Sequence, residues 1–272
     1  MMRKSITKTA CTLMTMAMLL GTPLVHSEEK DKGELPIPGE FSANVALTTN
    51  YMYRGVTQTN EGPALQGGFD YSLSPEGLPF SFFAGVWASN VEFNIPGNAD
   101  DSSIEIDFYG GLSGELPIGD GLSWDAGILY YYYPDQDEEG TADYDFLEFY
   151  GNLSYTLPLP LEPTLGVGIA YSDDFFGDDG ESFYPKGTLD LSLPYGFGLS
   201  FLVAHLDVDG DETTGPAGFD YTHWTAGISK EISIFTLDGT YYGADDDCHE
   251  EFLGASDDDL CEAFVFTVSS SW

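Results

Sequence analysis

Basic residues are what this sequence has least of. Only 8 Lys and Arg stand against 46 Asp and Glu in 272 residues, and Arg3, Lys4 and Lys8 fall within the first ten positions. A chain so poor in cations cannot neutralise phosphates and release their counterions, which excludes nucleic acid as a partner. Long apolar runs are also missing. Beyond the N-terminal segment no stretch reaches the roughly 18 residues of a membrane-spanning helix, so the only route into a bilayer is a closed β-barrel, in which every backbone group is paired. Cysteine and histidine are few, at 3 and 4. No His pair has ligand spacing for zinc, no phosphate-cradling glycine motif is present, and no cofactor is implied. A helical period of 3.6 is absent as well. What the chain does have is 32 Gly, 19 Phe and 17 Tyr at 42% apolar residues, too hydrophobic for a disordered acidic tail.

The first 27 residues read as an address. A basic start leads into an apolar stretch from Ala10 to Leu20, then the helix breakers Gly21 and Pro23, with Val25 and Ser27 suiting a signal peptidase. Cys11 lies at the start of the apolar stretch, where a lipoprotein signal would not put it. The expected organisation is a cleaved signal peptide at 1–27, a short flexible lead-in at 28–40 and a single domain at 41–272. Export makes a disulfide the default expectation for Cys248 and Cys261.

A period of two dominates the rest. Phe41, Ala43, Val45, Leu47, Thr49, Tyr51 and Tyr53 share one face, with Arg54 on the other. Ile104, Ile106 and Phe108 alternate with Glu105, Asp107 and Tyr109, and Trp124, Ile128, Tyr130 and Tyr132 with Asp125, Leu129, Tyr131 and Tyr133. The segments 80–93 and 199–208 carry no clean phase. Twelve strands are expected, near 42–54, 63–73, 80–93, 103–115, 122–133, 144–157, 164–172, 183–193, 198–207, 219–229, 234–243 and 262–272. At about 11 residues each they match the reach of a tilted strand across a bilayer and exceed the ~5–6 of a soluble sandwich. Short turns such as SPEGLP and PIGDG alternate with longer acidic loops such as PDQDEEGTAD. An even strand number with alternating turns and loops is the layout of an all-β, antiparallel up-and-down transmembrane barrel with short periplasmic turns and longer acidic extracellular loops. Outward aromatics sort to the two ends, as interfacial girdles do: Tyr51, Tyr53, Tyr130, Tyr132, Tyr171 and Tyr241 toward the long loops, and Phe41, Tyr71, Trp124, Tyr155 and Trp272 toward the short turns.

The run SANVALTTNYMYRGVTQT, the segments FAGVWASNVEF and IEIDFYGG, and GILYYYYP before FLEFYGNLSY resemble the TorF-type family of porins over about Ser42 to Trp272. Its most specific part holds Tyr51, Arg54, Gly55 and Gln58, followed by Trp87, Ser89 and Asn90. The resemblance implies a barrel in the outer membrane of a Gram-negative bacterium and little about the solute. Phe264, Phe266 and the terminal Trp272 also resemble the C-terminal strand signal of outer-membrane proteins, where Phe is the usual last residue.

The same phase predicts a lumen lined by Asp70, Glu105, Asp107, Glu115, Asp125, Glu148, Asp190 and Asp238, faced by Arg54 and Lys186. Ionised carboxylates on the lipid face would cost several kcal/mol, roughly, so they turn inward. The expectation is a porin giving passive diffusion of small solutes and preferring cations, with outer-membrane lipid and small solutes or cations as its partners. A plugged lumen in which the acids pair with Arg54, Lys186 and tyrosines is the structural alternative. Arg54 is then either a constriction element or a counter-ion. Two further readings stand: a non-conducting structural or adhesive barrel that binds a partner or divalent cations through its acidic loops, and a lipid hydrolase using His205 or His223. Asp207, Asp209 and Asp211 around Gly210 resemble part of a calcium loop that lacks its distal Glu.

Overall fold

The computed structural model describes residues 38–93, 102–117, 122–134, 144–177, 179–210, 217–251 and 261–272. The segments read as signal peptide and lead-in therefore lie outside the described residues, apart from 38–40.

Twelve strands close into one antiparallel barrel. They are β1 (Glu40–Thr48), β4 (Ala64–Leu73), β5 (Phe80–Asn90), β6 (Ile104–Glu115), β7 (Leu122–Tyr132), β8 (Phe146–Thr156), β9 (Thr164–Ser172), β10 (Ser182–Leu193), β11 (Phe197–Gly210), β12 (Ala217–Ile232), β13 (Phe235–Ala244) and β14 (Ala263–Ser271). Neighbours in sequence are neighbours in space, and β1 closes the ring on β14 in the register Ala46↔Ser269 and on β4 in the register Val45↔Gly67. Two very short strands, β2 (Met52–Tyr53) and β3 (Val56–Thr57), form a separate ribbon. A six-residue helix α1 (Asp246–Glu251) follows β13.

Alternation in the sequence becomes alternation across the wall. Phe69, Val167, Val203, Ile228 and Phe266 all point outward and are exposed, Phe69 at 69%. They form part of an apolar belt far larger than a water-soluble monomer tolerates. The structure also sets the two ambiguous phases. Trp87 and Ser89 face the interior on β5, and Leu202, Ala204, Leu206 and Val208 do so on β11. Asp207 and Asp209 lie within β11, exposed on its outer face, so the described part of the segment with a partial likeness to a calcium loop is strand; Asp211 lies outside the described residues.

The first strand differs from expectation. It ends at Thr48, not Arg54, and the chain turns into the barrel. Thr48 Oγ1 donates to Asn50 O (2.9 Å), and Thr49 N–H donates to Phe266 O (3.0 Å) as the last backbone bond to β14. Tyr51 and Tyr53, expected among the outward girdle aromatics, are instead inside, Tyr51 at 2% exposure. A period of two is common to a wall strand and to a hairpin arm, so alternation alone cannot separate them. The reversal is local. Arg54 (φ 49°) and Gly55 (φ 90°) are both left-handed, the pair of conformations a two-residue type I′ turn requires. Gly55 is obligatory for a second reason: a Cβ there would lie 2.9 Å from His223 Cβ.

Candidate functional site

The candidate site is the barrel interior, and the inward hairpin divides it into two halves. Toward the long loops the described interior is filled by buried side chains. The hairpin is braced by a polar knot in which Thr57 and Thr59 hydroxyls donate to Asn50 Oδ1 (2.6 and 3.1 Å) and Tyr51 N–H donates to Thr59 Oγ1 (3.1 Å). From that base it reaches across the bore. Tyr51 donates to Glu105 on β6 (2.5 Å), with its ring edge-on to Trp87 of β5. Tyr53 donates to the Tyr131 hydroxyl on β7 (3.0 Å). Arg54 pairs with Glu148 on β8, and its backbone carbonyl accepts from Tyr221 on β12 (3.1 Å). Met52 packs with Tyr242 of β13 and Val265 of β14. Around this crossing Leu129, Tyr131, Phe146, Phe175, Tyr184 and Leu206 form one buried cluster that includes Cys248 and Cys261. Those two cysteines are bonded to each other.

The Arg54 guanidinium is the centre of this layer. Its carbon lies 4.2 Å from the Tyr184 ring centroid, 4.9 Å from Tyr53 and 5.5 Å from Phe175, within cation–π range. Glu148 accepts from it through Oε1 and from Tyr131 through Oε2 (3.0 Å). Tyr184 is held in turn by the His223 ring at Nε2 (2.8 Å). Three predicted lumen acids share the layer with Arg54: Glu105, which accepts from Tyr51 and Tyr133 (both 2.5 Å), Glu148, and Asp107. Asp107 is 2% exposed, and its Oδ1 has no hydrogen-bond partner. Asp107 and Tyr131 are cross-strand neighbours.

The half toward the short turns is different. Asp70 accepts from the Tyr109 hydroxyl, Asp125 from Asn152 Nδ2 (2.8 Å) and Asp238 from Thr240 Oγ1 (2.7 Å). Asp70, Lys186 and Asp190 are only partly covered, and Glu115 is exposed at the rim. This region is polar, with Asp125 and Asp238 buried among its side chains, where the upper layer is an aromatic core.

Sequence reasoning placed the carboxylates but missed the residues that hold Arg54. Tyr131 and Tyr133 carried the inward phase, whereas nothing in the chain order marked Tyr184, Phe175, Tyr221 or His223 as their neighbours. Tyr130, Tyr132, Tyr171, Phe41 and Trp272 are exposed, and Tyr71, Trp124, Tyr155 and Tyr241 partly so. Tyr130 donates to Asp145 (2.7 Å) and Tyr241 to Glu262 (2.6 Å). His205 and His223 sit on opposite faces of the wall. His205 is partly exposed beside Thr222 (3.1 Å), and His223 is buried against Tyr184.

No functionally curated protein matches the sequence. Among solved structures the chain is similar to the COG4313 outer membrane channel from Pseudomonas putida F1, at 11% identity and a TM-score of 0.49, covering 89% of this chain and 99% of that one. It is similar to the P. putida toluene transporter TodX at 12% identity and a TM-score of 0.43, covering 87% and 88%. With Pseudomonas aeruginosa OpdQ the identity is 13% and the TM-score 0.40, covering 83% and 61%. Residues 33–272 match one family model, from within the lead-in to the terminal Trp272, and the chain belongs to that family, Gcw_chp, described as a bacterial protein of unknown function.

Proposed function

We propose that this protein is an outer-membrane, porin-like barrel that passes small solutes with a preference for cations, and that the hairpin 50–59 closes it in the state described. One observation carries the reading. The element that crosses the bore is a separate ribbon outside the barrel's hydrogen-bond ladder, tied to the wall mainly through side chains and by one backbone bond, from Glu92 N–H to Gln58 O (2.8 Å). A two-stranded ribbon of this kind is marginal on its own, so it can leave without opening the sheet. The apolar belt supports insertion in a bilayer, and export through a cleaved segment at 1–27 is part of the proposal. Beneath the ribbon, Asp70, Asp125, Asp190 and Asp238 against Lys186 give a vestibule whose field attracts cations. The resemblance to TorF-type porins accords with this.

The test is a planar-bilayer recording in a salt gradient, comparing wild type with a variant in which 50–61 is replaced by a Gly-Ser linker. Rare cation-selective steps in the wild type, and larger and more frequent ones in the variant, are expected. Silence from both, with insertion verified, refutes the porin reading.

A second reading has one observation in its favour. The buried aromatic cluster around the hairpin, stapled by Cys248 and Cys261, is what a permanently plugged, non-conducting barrel would build. It predicts silence from the wild type and a step from the linker variant only.

A further inference from the structure

The guanidinium of Arg54 sits where a ligand would. Its surroundings come from three wall strands and one loop: Tyr131 on β7, Glu148 on β8, Tyr184 on β10, and Phe175 after β9. Beside their contacts with the hairpin, these groups are tied to the wall by contacts of their own. Tyr131 stacks on Phe146 at a centroid distance of 4.1 Å and donates to Glu148 (3.0 Å), while Tyr184 and His223 share a hydrogen bond (2.8 Å). The wall therefore presents a preformed cage of one carboxylate and facing rings, the combination that recognises a planar or weakly hydrated organic cation. A compact metal ion suits it poorly, because it would have to give up its water for ring faces. Among the described residues, moreover, no three His, Cys, Asp or Glu side chains are grouped to hold one.

Two further details point beyond a merely structural ion pair. Arg54 Nη1 is buried with no hydrogen-bond partner, so the tethered guanidinium does not satisfy its own fork. Asp107, the cross-strand neighbour of Tyr131, is buried with Oδ1 also unpartnered. A free cation, not constrained by a type I′ turn, can rotate to use donors that Arg54 leaves idle.

We propose that the Glu148 cage is a binding site for guanidinium-class organic cations, and that Arg54 occupies it as an internal surrogate which such a cation displaces. The proposal rests on the porin reading for its role in transport, since the displaced hairpin is what opens the bore. The binding site itself does not depend on that reading. Competition sets the signature: while Arg54 is present, the apparent affinity for an external cation is reduced by the fraction of time the cage is free.

Methylguanidinium is the probe, and the refolded full-length mature chain in detergent micelles is the sample. Equilibrium dialysis at constant ionic strength is expected to show one methylguanidinium bound by Arg54→Ala, about tenfold or more tighter than by wild type, because the surrogate is gone. Adding Glu148→Gln to Arg54→Ala should abolish it. Equal binding by the single and double variants overturns the proposal. Should Arg54→Ala not refold, Arg54→Lys takes its place. Lysine lacks the bidentate fork, so affinity between wild type and the alanine expectation supports the cage, and wild-type affinity overturns it. Bilayer recordings separate the two claims. Glu148-dependent binding with a silent bilayer keeps the site and sinks the porin reading, whereas conductance without Glu148-dependent binding does the reverse.

Discussion

Replacing Arg54 by alanine should loosen one segment and leave the barrel intact. The side chains of Arg54 and Glu148 are 6% and 3% exposed, so the pair is fully desolvated. Removing one member of such a pair typically costs about 3–5 kcal/mol, because the other charge is left buried. Tyr131 still donates to Glu148, which argues for the low end, about 3 kcal/mol. The contacts with the Tyr184, Tyr53 and Phe175 rings go as well, each worth roughly 0.5–2 kcal/mol and not additive with the ion pair. Because the ribbon β2–β3 is outside the barrel ladder, this loss falls on the local opening of the hairpin. Three kcal/mol is a factor of about 150 in an equilibrium constant. The reporter is amide hydrogen exchange at Gln58, whose N–H donates to Tyr51 O (2.7 Å) within the ribbon, with Ala43, which donates to Trp272 O (2.9 Å) at the barrel seam, as the internal control. Exchange at Gln58 should quicken by about a hundredfold or more, with Ala43 unchanged. A change at Gln58 below about threefold would refute the idea that the ion pair holds the hairpin; equal acceleration at both sites would show that the ribbon and the wall unfold together.

Three further outcomes follow from the same geometry. Gly55→Ala adds a Cβ 2.9 Å from His223 Cβ at a φ of +90°; a cost of about 1 kcal/mol or more should quicken Gln58 exchange at least several-fold, and an unchanged rate would contradict the close approach. Glu105→Gln combined with Asp107→Asn removes two of the three carboxylates in the packed layer, so the cation-to-anion permeability ratio should fall in the hairpin-replaced channel; an unaltered ratio would assign selectivity to the vestibule acids. Val167→Arg, in the middle of β9 on the exposed apolar face, should destabilise the vesicle-inserted protein by about 2–4 kcal/mol in urea titration, and a neutral result would argue against lipid at that face.

Most of the architecture was legible in the chain itself. Alternation with period two, turn chemistry and the rhythm of short and long connections are local properties, so the wall strands from 64–73 to 263–271 fall close to their expected ranges. The inward direction of Glu105, Asp107, Asp125, Glu148 and Asp238 is local in the same sense, because adjacent residues of a strand face opposite sides and a carboxylate cannot face hydrocarbon. What alternation could not carry is where a strand leaves the wall. Thr49–Arg54 keeps the same period inside the barrel as outside it, and only the distant partners Glu105, Glu148 and Tyr221 decide that Tyr51, Tyr53 and Arg54 belong to the bore. The grouping of Tyr184, Phe175 and Tyr131 around one guanidinium is likewise a product of ring closure, which brings together residues far apart in the chain. Whether the lumen is a pore or a core is therefore settled by tertiary contact, since it depends on what fills the space between strands, while strand number and facing are written into each strand separately.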